Sequence, residues 1–225
     1  MAKHGRARLP FRAAVFDLDG TVLDSTYVWE WVDQEFLSRR GLAVPEDYID
    51  AVCAKSFGEA ADYTIRRFGL SEEPEAVIAE WRRLARYQYE QRVTLKPGVR
   101  EYLEELRRSG VRLAVASGLE RSLAKPALER NGIAGLFDLF CYAGEVSRGK
   151  EYPDLYLHAA RRLGLSPEAC VMFEDVLPGV RSAKAAGMMV FGVADPYSER
   201  QRDAIRALAD GFLESFAEAP LPAGE

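Results

Sequence analysis

The stretch Ala13-Ala14-Val15-Phe16-Asp17-Leu18-Asp19-Gly20-Thr21 decides the fold. Its apolar run, Ala13 to Leu18, carries the β-branched and aromatic residues Val15 and Phe16 of a buried strand and stops at Asp19-Gly20. Similar runs recur downstream. Val111 to Ala116 ends at Ser117-Gly118, Cys170 to Phe173 at Glu174-Asp175, and Met188 to Val193 near Asp195-Pro196, with a weaker run at Phe137 to Tyr142. Helical patterns separate them. Gly98 to Ser109 sets Val99, Tyr102, Leu103 and Leu106 on one face, Pro153 to Leu163 stops at Gly164, and Pro178 to Ala186 stops at Gly187. Strands alternating with helices of this length predict βαβ units and a parallel sheet covered on both faces.

One region breaks the alternation. From Thr26 to Arg92 no strand pattern occurs, only helical stretches broken at Gly41, Pro45, Gly69 and Pro74. Its aromatics, among them Tyr27, Trp29, Phe36, Tyr48 and Trp81, read as the core of a small helical bundle rather than a platform for stacking bases. The expected organisation is therefore an α/β core from residues 1–25 and 93–225, with residues 26–92 inserted as an all-helical domain. Gly211 to Glu225, with Pro220 and Pro222, reads as a fraying tail.

Composition narrows the class. Hydrophobic residues make up 48% of the 225, enough for a buried core and too many for a disordered chain. Thirty basic against 35 acidic residues give a net charge of −5, which argues against broad contact with nucleic acid or anionic membranes. There is no apolar run of about 18 residues to span a bilayer. No apolar segment follows the basic stretch Met1 to Arg12 to make it a signal peptide, so a cytoplasmic enzyme is the expectation. Cys53, Cys141 and Cys170 form no Cys-x-x-Cys pair and read as buried reduced thiols. His4 and His158 are the only histidines, one in the leader and one on a helix, which argues against a histidine triad or a zinc site.

Open parallel sheets bind ligands at the carboxyl ends of their strands, and the polar residues here sit there. Asp17 and Asp19 end the first strand, Ser117 another, and Glu174-Asp175 a third, while Lys150 lies in a loop before the Pro153 helix. Gly20 permits a sharp bend, so the two carboxylates of Asp17-Leu18-Asp19 are aimed separately, one to attack an electrophile and one to move a proton. The same residues do not open a calcium loop, because Thr21 and Val28 stand where that loop needs carboxylate ligands. Adjacent acids after a buried strand are costly unless they meet a cation, and beside Asp17 they would form a hard, all-oxygen site suited to Mg²⁺. Lys150 would neutralise nucleophile and phosphate, and Ser117 with Gly118, opening the next helix, would offer a hydroxyl and backbone N–H groups to phosphate oxygens. No Gly-x-x-x-x-Gly-Lys or Gly-x-Gly-x-x-Gly signature of nucleotide binding occurs.

Asp17-Leu18-Asp19-Gly20-Thr21, Ala116-Ser117-Gly118, Gly149-Lys150 with Pro153-Asp154, and Phe173-Glu174-Asp175 with Gly179 resemble, in order, the motifs of the haloacid dehalogenase-like superfamily. The inserted helical region is similar to the cap of its phosphoglycolate phosphatase and β-phosphoglucomutase branch. The resemblance implies a Rossmann-like parallel-sheet core and a cap that closes over the site. By it, Asp17 is the nucleophile that forms an aspartyl-phosphate, and Asp19 is the acid and base. Asp17, the main-chain carbonyl of Asp19, Asp175 and Glu174 hold Mg²⁺, and Ser117, Gly118 and Lys150 hold the phosphoryl group. A dehalogenase expels halide, which needs no proton, so Asp19 favours a phosphate ester. The mutase alternative expects a Gly-x-Ser-Arg segment on the cap, where this chain has Ala54-Lys55-Ser56-Phe57. Glu151-Tyr152 also departs from the family, which often has proline after the lysine. The resulting expectation is a Mg²⁺-dependent phosphatase of a small phosphorylated metabolite, monomeric or homodimeric, with specificity set by Cys53 to Glu59 and the loop near Tyr27. A catalytically retired binding module is the reading from another class.

Overall fold

The computed structural model describes residues 6–52, 55 and 57–224. Along the chain, β1 (Arg8–Leu9), β2 (Ala13–Phe16) and β3 (Leu23–Asp24) precede four helices, α1 (Tyr27–Ser38), α2 (Tyr48–Val52), α3 (Phe57–Phe68) and α4 (Pro74–Gln91). There follow β4 (Thr94–Leu95), α5 (Val99–Arg108), β5 (Arg112–Ser117), α6 (Arg121–Arg130), β6 (Leu139–Tyr142) and α7 (Asp154–Leu163). The last elements are β7 (Cys170–Glu174), α8 (Leu177–Ala185), β8 (Met189–Val193), α9 (Arg202–Leu208), β9 (Gly211–Leu213) and β10 (Leu221–Pro222). Two compact units result, Met1–Ser25 with Val93–Glu225, and Thr26–Arg92.

The first unit is α/β. Its six-stranded sheet runs β6-β5-β2-β7-β8-β9, with every neighbouring pair parallel. Ala13 and Val15 on one face of β2 join a core with Leu155, Tyr156 and Ala159 of α7 and Val180 and Ala183 of α8. The alternate face carries Phe16, stacked on Phe173 with ring centroids 4.9 Å apart, and Tyr102 of α5 and Phe216 close the same cluster. Period-2 alternation thus feeds two cores from one strand, which is why β2 has no exposed residue.

The C-terminal stretch does not fray. Gly211–Leu213 is the sixth strand of the sheet, paired with Phe191–Val193, and Leu221–Pro222 pairs with Arg8–Leu9. The physical reason is apolar burial: Leu213, Phe216 and Ala219 are buried, and Tyr102 Oη donates 2.8 Å to the Pro220 carbonyl. The prolines that suggested a tail lie where an edge strand tolerates them.

The second unit is all-helical. Phe36 and Trp81 pack edge to face at 5.6 Å, and Tyr48 and Tyr89 are fully buried. The Tyr48 hydroxyl meets Thr64 Oγ1 at 2.7 Å, so its polar end is satisfied inside the bundle. No described helix is long and apolar enough to cross a membrane.

Candidate active site

Strand register brings the acids together. Phe16 pairs with Phe173, so the next residues, Asp17 and Glu174, leave adjacent strand ends side by side, and the Asp17 amide donates 3.1 Å to the Phe173 carbonyl. One carboxylate oxygen each from Asp17, Glu174 and Asp175 lies within 4.8 Å of the others, and all three residues are buried. Lys150 Nζ reaches this cluster from the loop before α7, 2.9 Å from Asp17 Oδ1 and 3.0 Å from Glu174 Oε2. Gly118 belongs to the same place, because a Cβ there would stand 4.0 Å from the Lys150 chain. Ser117 is buried at the end of β5, its Oγ accepting from the Leu119 amide at 3.2 Å. Ser117-Gly118 does not open a helix, as the sequence suggested, since α6 starts only at Arg121. The intervening Leu119 is anchored by that hydrogen bond, which keeps the segment a bend.

Asp19 points elsewhere. Gly20 takes φ 77°, a left-handed conformation open to glycine at little cost, and the chain folds back so that the Leu18 carbonyl accepts from the amides of Thr21, Val22 and Leu23. The Asp19 carboxylate accepts from Ser25 Oγ at 2.6 Å and is more exposed than Asp17. Its side chain is outside the three-carboxylate cluster.

The electrostatics are those of a site short of positive charge. Burial pushes the Glu174 carboxyl up to about 7, with Lys150 opposing and Asp17 adding to the rise. Asp175 is likewise raised, by burial and then by Glu174 and Asp17. Burial alone would lower the Lys150 ammonium, but the Asp17 and Glu174 carboxylates outweigh it and hold it well above its ordinary value. Three carboxylates face one ammonium, and Asp17 Oδ1, though within ion-pair reach of Lys150, receives no properly directed hydrogen bond. Glu174 is better satisfied: its Oε1 accepts from Lys150 and from the Asp175 and Val176 amides, and Tyr156 Oη lies 3.4 Å from Oε2. An oxygen-rich, anionic, partly orphaned donor set fits a hard divalent cation, with Asp17 and Asp175 the more available ligands.

Three further contributors were given no role from the sequence, although Thr21 and Gly179 lie in its motifs. Thr21 Oγ1 donates to Asp175 Oδ1 at 3.0 Å, and Lys96 Nζ ties the Gly20 carbonyl (3.0 Å) to the Ala194 carbonyl and Asp195 Oδ2 (both 2.7 Å). Gly179 matters by what it lacks, since a Cβ there would fall 2.4 Å from the Glu174 carboxyl. Thr21 lay inside the quoted stretch, but Lys96 carried no signal, because its three acceptors come from distant segments.

A sequence model described as haloacid dehalogenase-like hydrolase matches residues 11–187, which contain Asp17, Lys150, Glu174 and Asp175. The chain belongs to that family. Hexitol phosphatase A of Escherichia coli is 36% identical over 186 residues, covering 81% of this chain and 82% of the relative. The phosphoglycolate phosphatase of Nitrosospira multiformis is 29% identical, covering 94% of this chain and 95% of that one. A family hydrolase from Deinococcus radiodurans, solved with bound phosphate and sodium, superposes with a TM-score of 0.74 at 31% identity, covering 93% of each chain. This haloacid dehalogenase-like protein is an enzyme of the phosphatase kind.

Proposed function

We propose that the chain hydrolyses a small phosphorylated metabolite, a phosphorylated sugar or sugar alcohol, through an aspartyl-phosphate on Asp17, with Mg²⁺ as cofactor. The observation that carries this reading is the Asp17 carboxylate, buried beside Lys150 and two further acids, with Oδ1 lacking a directed donor. A buried carboxylate with a lone pair free of a directed donor supports a nucleophile over a structural carboxylate, whose lone pairs are filled. Relatives that carry phosphatase names support the substrate class.

In the proposed reaction an Asp17 oxygen attacks phosphorus and the ester P–O bond breaks. Asp19, aimed by Ser25, gives its proton to the departing alkoxide oxygen. Water then attacks the phosphorus of the acyl phosphate while Asp19 takes up its proton, which releases inorganic phosphate and regenerates Asp17. Lys150 offsets charge on the phosphoryl oxygens, and Ser117 Oγ with the Gly118 amide holds them. Asp17, Asp175 and the Asp19 main-chain carbonyl would hold Mg²⁺, with Glu174 behind them through water or directly. The ion supplies neutralisation of phosphoryl charge. Residues 1–25 and 93–225 are the catalytic core in this reading, and 26–92 the cap. Of the stretch Cys53 to Glu59 expected to set specificity, Cys53, Ala54 and Ser56 lie outside the described residues, and Ala54 and Ser56 belong to the segment on which the mutase alternative turns.

The test is phosphate release from a panel of sugar phosphates, hexitol phosphates and phosphoglycolate with Mg²⁺. Asp17→Asn should abolish release. Activity surviving that change would sink the mechanism, isomerisation of a hexose 1-phosphate with little release would favour the mutase, and no turnover would favour a binding module.

A further inference from the structure

Away from the acidic cluster, the first unit gathers a second set of metal-ligating groups. Cys141 lies near the end of β6, Glu145 closes the short turn Ala143–Glu145, and His158 sits on α7. Cys141 Sγ, a Glu145 carboxylate oxygen and an imidazole nitrogen of His158 all lie within 4.8 Å of one another. His158 Nε2 is 3.6 Å from Glu145 Oε2. With His4 in the leader and His158 on a helix as the only histidines, the sequence argued against a zinc site; the packing of α7 on β6 supplies partners that are not histidines.

We propose that Cys141, Glu145 and His158 form a three-ligand site for a borderline divalent transition-metal ion of the zinc class, with water in the fourth position. Zinc–ligand bonds of about 2.0–2.3 Å in a tetrahedron put neighbouring ligand atoms about 3.3–3.8 Å apart, a spacing these side chains reach by small rotations. Thiolate, imidazole and carboxylate together suit zinc and disfavour magnesium, whereas the all-oxygen cluster at Asp17 has the opposite preference. Cys141 is fully buried while Glu145 is exposed and His158 half-buried, so the ion has both an anchor and an entrance.

A positive charge already stands there. Arg162 Nη1 donates 2.8 Å to the Phe140 carbonyl and lies 3.3 Å from Glu145 Oε2 and 3.8 Å from Cys141 Sγ. Its side chain is 42% exposed, so the ion pair is screened by solvent and yields readily to a dication. The Cys141 proton leaves to solvent when the metal–sulfur bond forms. The site joins β6 to α7, the two elements that bracket the loop carrying Lys150, so occupancy would clamp both ends of that loop.

Cobalt tests this with a readout independent of turnover. Metal-stripped full-length protein is titrated with Co²⁺ in excess Mg²⁺, and the thiolate-to-cobalt charge-transfer absorbance is followed. One equivalent should produce the band, Zn²⁺ should remove it, and Cys141→Ser should abolish it. Glu145→Gln, at an exposed position, and His158→Ala, at a half-buried one, should each weaken Co²⁺ binding about tenfold or more. Arg162→Met should tighten it, and Asp175→Asn should leave the band unchanged. No band in wild type overturns the proposal. So does a band that survives Cys141→Ser, one indifferent to both His158→Ala and Glu145→Gln, or one lost in Asp175→Asn.

Discussion

The ammonium of Lys150 stands 2.9 Å from Oδ1 of Asp17, and it is the cation that makes a buried cluster of three carboxylates tolerable. Removing it leaves charge with no counterion in a desolvated place, where breaking a pair costs about 3–5 kcal/mol. Lys150→Met should therefore slow phosphate release about 100-fold or more. It should also lower the urea midpoint of the metal-free protein, with Mg²⁺ recovering part of the loss. An unchanged midpoint and rate would remove Lys150 from the site.

Thr21 acts through Asp175. Its hydroxyl donates 3.0 Å to Asp175 Oδ1, and both residues are buried. Thr21→Val keeps the shape and deletes the donor, which should raise the Mg²⁺ concentration for half-maximal activity about tenfold. If the hydroxyl served only the fold, thermal stability would fall and the Mg²⁺ dependence would not move.

The helical unit carries its own pH dependence. Burial, with Glu30 adding, pushes the Asp33 carboxyl on α1 up to about 7. A folded-state pKa above the unfolded value means that the protonated form is favoured by folding. The stabilisation is thus complete below about pH 4 and is lost as pH rises through about 7. Asp33→Asn should flatten this dependence and, allowing for partial exposure, stabilise the unit at pH 8 by about 2 kcal/mol. Trp29, Trp31 and Trp81 all lie in residues 26–92, so tryptophan fluorescence reads this unit alone. A wild-type unfolding midpoint flat from pH 4 to about pH 8 would contradict the assignment.

Phe216 tests the C-terminal stretch. It is buried against Phe16, Tyr102 and Phe173 with centroids 5.5–6.2 Å apart. Phe216→Ala should cost about 3–5 kcal/mol in chemical unfolding. A fraying tail would lose nothing.

Much of this was legible along the chain, for definite reasons. A buried parallel strand needs a continuous apolar run, so Ala13–Phe16, Arg112–Ser117 and Cys170–Glu174 announce themselves, and helices that cover them show a 3.6 period. The polar residues at their ends stand out because nothing apolar requires them. β9 was not legible: three residues, Gly211–Leu213, make too short a pattern, and its strand character comes from Phe191–Val193 beside it.

By itself, then, the sequence determined the alternation of strand and helix, the helical insertion and the residue types at the strand ends, since these depend on local periodicity and on glycine at a left-handed turn. Tertiary structure alone decided which ends meet. The register of Phe16 with Phe173 sets Asp17 beside Glu174, a fold-back at Gly20 turns Asp19 toward Ser25, and the packing of α7 on β6 puts His158 near Cys141. The first and last of these join segments separated in the chain, and no local propensity encodes them.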